Sequence, residues 1–241
     1  MEEMFARTAL LLGEEGLEKL KRARVAVFGL GGVGGAAAEA LARAGIGAID
    51  LIDADRVAAS NLNRQVFALR STVGMLKTEA AERRIKDISP DCVVRRYDYF
   101  FLPERAAEFP FAEYDYAVDA IDTLAGKIGI AKACAEAGVP VVSCMGAGNK
   151  LDPAAFRVSD IYSTKVCPLA RAMRRLCREN GIESLKAVWS REIPMSANID
   201  EEDGKRIPGS VSFVPPVVGY IAAGEVVKDI AGVSGNGLDL S

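Results

Sequence analysis

The 241-residue chain contains no histidine. That absence removes Ser-His-Asp and Cys-His nucleophile pairs, imidazole-ligated zinc and imidazole acid–base chemistry. Cysteine is sparse: Cys92, Cys134, Cys144, Cys167 and Cys177 form no C-x-x-C pair. No zinc is therefore expected, and the odd count and wide spacing read as reduced thiols, not a disulfide framework. Long apolar runs are also missing. The longest, residues 211–224, contains Pro215 and Pro216 and ends at Glu225, too short for a membrane span. No basic and apolar leader precedes the first residues, so a soluble, cytoplasmic protein with no membrane contact is expected. Positive charge is not in excess either. Lys and Arg number 30 against 33 Asp and Glu, a net charge of −3, which excludes a uniformly basic nucleic-acid binder. Any chemistry must come from Asp, Glu, Lys, Arg, Cys and backbone dipoles.

Half of the residues are hydrophobic and 26% are charged, enough for a packed core. Residues 8–22 carry an amphipathic pattern in which Leu10, Leu11, Leu17 and Leu20 mark a docking helix. The apolar run 24–28 reads as a buried parallel strand. It passes straight into a glycine loop and an Ala-rich helix over 36–44. Strands are predicted at 49–52, 93–95, 116–121 and 139–143, with a helix over 77–88 closed by Pro90. This alternation predicts a doubly wound, Rossmann-like α/β fold with a mostly parallel sheet. Beyond Gly148 the pattern loosens into a smaller α+β extension. It holds strands near 156–158 and 185–189, a basic helix over 168–178, a polar loop over 198–209 and a final helix from Pro216 to Ile230.

The glycine loop reads Gly29-x-Gly31-Gly32-x-Gly34 between strand and helix. Glycines there permit a tight turn and close approach of phosphate oxygens, and the helix N-terminus adds partial positive charge. Asp53, 19 residues beyond Gly34 at a strand end, is placed to accept hydrogen bonds from ribose hydroxyls. The loop alone does not separate a dinucleotide from ATP. Downstream come Asp55, then Ser60-Asn61-Leu-Asn-Arg64-Gln65, then Lys77. Two permanent cations suit a pyrophosphate leaving group, whereas an NAD-dependent oxidoreductase has no use for them. The strand 116–121 leads into Asp122 and Thr123, and Asp122 is a candidate to hold Mg²⁺ on phosphates. Asp119, three residues earlier, reads as a structural cap or turn acid.

In this order the motifs resemble the adenylation domain of the ubiquitin-activating-enzyme-like superfamily, which includes the ThiF, MoeB and HesA proteins. The resemblance implies an ATP-binding core over residues 1–150, with the N-terminal helix, and an extension over 151–241 that completes the substrate site. The later runs Ser143-Cys-Met-Gly-Ala-Gly-Asn-Lys-Leu-Asp-Pro153, Asp160-Ile-Tyr162 and Cys167-Pro-Leu-Ala170 are similar to the branch that dehydrates threonylcarbamoyladenosine in tRNA. Two departures from the wider superfamily, the missing C-x-x-C pairs and the absence of an evident thioester cysteine, fit a reaction that ends at an acyl adenylate. Cys167 and Cys177 read as buried thiols.

The resemblance implies that the Gly32 region cradles phosphate and that Asp53 holds the ribose. Asn61 and Arg64 would contact phosphates, Lys77 would neutralise developing charge, and Asp122 would act through Mg²⁺. Arg7 matches an N-terminal Arg that superfamily dimers contribute to the partner's site, which implies a homodimer. A sulfur-relay partner is also among the partners that the resemblance implies. Separately, Arg171, Arg174, Arg175 and Arg178 share one helix face through i+3 and i+4 spacings. They are candidates for tRNA backbone contact, or a solvated surface. Three alternatives remain open at this point. They are an adenylyltransferase acting on the C-terminus of a ubiquitin-like sulfur carrier, an NAD-dependent oxidoreductase, and a non-catalytic nucleotide-binding adaptor.

Overall fold

The computed structural model describes residues 3–195, 201–202, 205–206 and 208–233. Seven strands form one sheet. They are β1 (Arg24–Phe28), β2 (Ala48–Ile52), β3 (Val93–Tyr97), β4 (Tyr116–Asp119), β5 (Val141–Cys144), β6 (Phe156–Asp160) and β7 (Lys186–Ser190). Their spatial order is β3-β2-β1-β4-β5-β7-β6, and every pairing is parallel except the antiparallel β6–β7 edge. The order reverses between β1 and β4, which opens a crevice at their carboxyl ends, the position where ligands bind in open α/β sheets. Among the described residues six α-helices accompany the sheet: α1 (Ala6–Arg22), α2 (Gly34–Ala44), α3 (Lys77–Ile88), α4 (Leu124–Ala137), α5 (Pro168–Glu179) and α6 (Pro215–Ala231). The polar stretch predicted as a loop over 198–209 lies largely outside the described residues. Within it, β8 (Glu201–Glu202) pairs antiparallel with β9 (Lys205–Arg206).

Alternation along β1 assigns the two faces. Val25 and Val27 pack with α2, α3 and α6, while Ala26 and Phe28 pack on the other side. There, the connection from β3 to β4 supplies short 3₁₀ turns and a group of rings in place of a helix. Phe28 stacks on Phe111 with centroids 5.8 Å apart and meets Phe101 edge-on at 5.3 Å. Residues past 150 extend the same sheet with β6 and β7. They also return α6 to the first face, where Gly219 sits so close to α2 that a Cβ would lie 2.1 Å from the Val33 carbonyl oxygen.

Two features differ from the sequence reading. The first helix is broken at Gly13, whose φ of 73° and ψ of 166° are not helical. The break resets the periodicity, so Leu17 and Leu20 are buried while Leu10 and Leu11 are 86% and 85% exposed. The second is α4, which has no amphipathic signature because buried Lys127, Gly129 and Ile130 sit together among small residues. Gly138, at φ 70°, ends it in a left-handed cap.

All five thiols are buried and free. Burial pushes Cys134 and Cys144 up to about 12 and Cys92 and Cys177 up to about 11. Thiols of the unfolded chain titrate near about 8.5. Between these limits the unfolded chain has released protons that the native state keeps, so stability falls as pH rises. Buried Tyr114 and Tyr116 are raised in the same direction. The urea midpoint should therefore drop steadily from about pH 8.5 to about pH 10.5. A flat midpoint across that interval would contradict the burial of these groups.

Candidate functional site

The crevice at the strand reversal is a cavity of about 650 Å³. Gly29 starts the turn above β1 with φ 86°, and its N–H donates to the Ile52 carbonyl at 2.8 Å. The glycines then divide their work. A Cβ on Gly31 would meet nothing within 4 Å, so its backbone is open to a ligand. Gly32 also lines the cavity, but a Cβ there would come within 2.8 Å of Pro215, so part of its need for smallness comes from α6. Gly34 does not line the cavity. A Cβ at that position would lie 1.8 Å from the Gly29 carbonyl oxygen, which makes it a packing glycine.

Asp53 sits at the end of β2 with 5% of its surface exposed. Its Oδ2 accepts from the Leu30 N–H at 2.7 Å and its Oδ1 from the Asp55 N–H at 2.8 Å. Burial raises its pKa above the usual aspartate value, opposed by the nearby Lys77 ammonium. This acid therefore braces the glycine loop, and each oxygen retains a lone pair for another donor.

Lys77 reaches the same place because the backbone doubles back. The Val57 N–H donates to the Met75 carbonyl at 2.8 Å and the Lys77 N–H to the Asp55 carbonyl at 2.9 Å. That pairing starts α3 at the cavity, with Lys77 only 7% exposed. Its Nζ lies 2.6 Å from Asp55 Oδ2 and 3.7 Å from Asp53 Oδ2. Arg64 lines the cavity half-buried, its Nη1 donating to the Ser60 carbonyl at 2.9 Å and to Asn63 Oδ1 at 2.8 Å. Asn61 also lines it, while its Oδ1 accepts from the Ala58 N–H at 3.0 Å and shapes the turn. Gln65, exposed Asp122 and Thr123 complete the sequence-predicted set on the cavity wall.

Three of the predicted residues are placed elsewhere. Ser60 is exposed off the cavity wall and contributes the carbonyl that holds Arg64. Arg7 is exposed on α1 and does not line the cavity of its own chain. Gly34, as described, packs. The α5 arginines are not equivalent on their shared face. Arg174 donates to the carbonyl of Thr164 at 2.9 Å and to its Oγ1 at 2.5 Å. Arg178 lies over the Tyr162 ring at 5.2 Å, and Arg175 pairs with Glu179 at 3.4 Å. Arg171 is exposed.

Sequence reasoning missed two parts of the site. Phe100, Phe101 and Leu102 give the cavity an apolar wall beside Ile52. The aromatic run at the carboxyl end of β3 was the available signal, since strand ends there face the crevice. The other part is beneath the wall. Lys127, fully buried on α4, donates to Asp119 Oδ2 at 3.0 Å and to the Cys144 carbonyl at 2.8 Å. Ser143 Oγ donates to the same Asp119 oxygen at 2.5 Å. Asp119 is thus a structural acid, and the network fastens the carboxyl ends of β4 and β5 below Asp122.

The profile of the ThiF family matches residues 5–239. The chain belongs to the ThiF family. Among its relatives, the tRNA threonylcarbamoyladenosine dehydratase of Bacillus subtilis is 42% identical over 242 residues, covering 95% of each chain. The crystal structure of Escherichia coli TcdA, a tRNA N6-threonylcarbamoyladenosine dehydratase in complex with ATP, superposes with a TM-score of 0.88. It shows 35% identity and covers 95% of this chain and 94% of that one. A more distant match is the adenylyltransferase and sulfurtransferase UBA4 of Candida glabrata. It is 38% identical over 138 residues, which is 57% of this chain and 32% of that protein.

Proposed function

We propose that this ThiF-family protein is an ATP-dependent dehydratase that cyclises threonylcarbamoyladenosine in tRNA through a carboxyl adenylate. The observation that carries the reading is the convergence of Gly31, Asp53, Arg64, Lys77 and Asp122 on one cavity. Its support from relatives is their extent: the Bacillus subtilis dehydratase matches along 95% of the chain, whereas the adenylyltransferase and sulfurtransferase UBA4 proteins match along 57% to 70%.

In this mechanism the open backbone at Gly31 and the N-terminus of α2 receive phosphate oxygens. Asp53 accepts from the ribose while its two backbone bonds keep it oriented. Asn61 and Arg64 contact the phosphates. Lys77 exchanges the exposed Asp55 carboxylate for the more highly charged pyrophosphate, so charge moving onto the leaving group finds a fixed ammonium. Among the described residues no three Cys, Asp or Glu gather as a metal cluster. Asp122, a carboxylate on the cavity wall, would hold a Mg²⁺ ion together with the bound phosphates. Such an ion supplies neutralisation of phosphate charge when bound. The threonyl carboxylate attacks the α-phosphorus and expels pyrophosphate. The carbamoyl group of the same side chain then closes on the activated carbonyl and expels AMP, which carries off a carboxylate oxygen, a step favoured by intramolecular proximity.

The segment after residue 150 completes the substrate side, because Pro208, Ser210 and Pro215 belong to the cavity wall. A homodimer accounts for two exposed features of α1 together, since Arg7 is free of its own cavity and the neighbouring Leu10 and Leu11 lie in solvent. In that arrangement Arg7 serves the other copy's nucleotide. Arg171, Arg175 and Arg178 are the exposed members of the α5 cluster offered to tRNA phosphates, Arg175 in exchange for its pairing with Glu179. The free thiols suit a cytosolic setting. Among the described residues no helix is long and apolar enough to cross a membrane.

Incubation with ATP, Mg²⁺ and tRNA bearing threonylcarbamoyladenosine should yield a nucleoside lighter by one water, with AMP and pyrophosphate in equal amounts. An unchanged nucleoside mass, with ATP–pyrophosphate exchange driven by a carrier protein instead, would overturn the reading.

A further inference from the structure

The loop after β5 contains a residue that the proposed chemistry does not use. Asn149 has φ 56°, in the left-handed region that side-chain-bearing residues rarely take and Asn tolerates best. Its N–H donates to the Gly209 carbonyl at 2.8 Å, and its Oδ1 accepts from the Gly209 N–H at 2.7 Å. Its own carbonyl accepts from the Met195 N–H at 2.7 Å. One residue thereby grips the chain both where it runs on from β7 and where it approaches α6.

What the grip fixes belongs to the cavity. Gly148, Pro208 and Ser210 all line it, and Gly148 and Pro208 are so close that a Cβ on the glycine would lie 2.7 Å from the proline ring. The Ser210 carbonyl accepts from Asn63 Nδ2 at 3.0 Å, which ties this wall to the turn bearing Arg64. Behind it, the buried Lys150 ammonium donates to the Gly146 carbonyl at 2.9 Å. The Glu192 carboxylate accepts from the N–H groups of Leu151 and Asp152 at 2.9 and 3.0 Å. The wall is therefore tied by hydrogen bonds both to the β5 loop and to the turn bearing Arg64. Unlike the parts of the cavity formed by residues 53–77 and by Asp122, its lining residues Gly148, Pro208, Ser210 and Pro215 carry no ionisable side chain. Such a wall suits an uncharged amide-bearing group better than a polyphosphate.

We propose that Asn149 is a positioning residue for the acceptor nucleoside. Through Gly209 it sets Pro208 and Ser210 as the surface that holds the uncharged carbamoyl linkage of the threonylcarbamoyl side chain while its carboxylate reaches the α-phosphorus. This rests on the dehydratase reading and deepens it.

Asn149→Gly keeps the left-handed backbone accessible and deletes only the Oδ1 acceptor, whereas Asn149→Asp keeps an acceptor in the same place. KM for the modified tRNA should rise about tenfold in Asn149→Gly, the scale of one lost orienting hydrogen bond, and return most of the way in Asn149→Asp. KM for ATP and the melting temperature should stay near those of the parent protein in both. An unchanged KM for tRNA in Asn149→Gly, or an equal rise in KM for ATP, overturns this inference while parent turnover leaves the dehydratase reading standing. Failure of the parent protein to dehydrate the nucleoside overturns both.

Discussion

Arg64→Ala should lower tRNA-dependent turnover by about two to three orders of magnitude, the usual cost of removing one preorganised donor from a transition state. Lys77→Ala should lose a similar factor. The two variants should nevertheless differ in a second measurement. Arg64 is half-buried and held by one carbonyl and one amide oxygen, so its removal leaves no charge stranded. Lys77 is almost wholly buried and is the cation beside Asp53. Without it, Asp53 keeps its backbone donors but loses the charge that opposes its burial, so Lys77→Ala should also melt at a lower temperature. Because both cations are assigned to charge that develops on the leaving pyrophosphate, kcat and kcat/KM should fall together. A rise in KM with kcat preserved would mean that they only bind ATP, and near-parent turnover in both variants would refute their roles.

The largest stability effect is expected at Lys127. Its side chain is fully buried and that of its partner Asp119 is 1% exposed. Removing one member of such a pair leaves an uncompensated charge in the interior and typically costs about 3–5 kcal/mol. Lys127→Met should therefore unfold at markedly lower denaturant, with a melting temperature depressed by about 10 °C or more for a chain of this size. Asp119→Leu combined with Lys127→Met removes both charges and should recover more than half of the loss, although Ser143 then lacks its acceptor. Additive losses in the double variant would show that the two groups do not act as a pair.

Much of this architecture was legible along the chain because local chemistry specified it. The run 25–28 is apolar throughout and leads straight into the glycine loop, and the helix over 77–88 has a closing proline. The glycine spacing located the phosphate loop, but not which glycine faces the ligand. That depends on the Gly29 carbonyl packing against Gly34, a contact across the turn. Lys127 was illegible for a related reason. A lysine among small residues resembles a solvated cation until strand order brings Asp119 and Ser143 beneath it. The α4 helix escaped notice because it is covered on more than one side, which erases the stripe that periodicity detects. Leu10 and Leu11 erred in the opposite direction: their spacing fits one helix, and a single glycine divides that helix. Arg174 shows the same limit at the surface, where a residue in a basic row proves to be engaged by Thr164.

Gly32 against Pro215, and Gly219 against Val33, make α6 a wall of a pocket whose glycine turn is translated well before it. Synthesis from the amino end therefore produces the phosphate loop long before the helix that encloses it. Until α6 emerges from the ribosome, the nascent loop has one flank bare, and a nucleotide that reaches it meets half a pocket. On the proposed function, competence for ATP waits for α6, and a message cut short before α6 yields a chain with most of its sheet but no finished cradle.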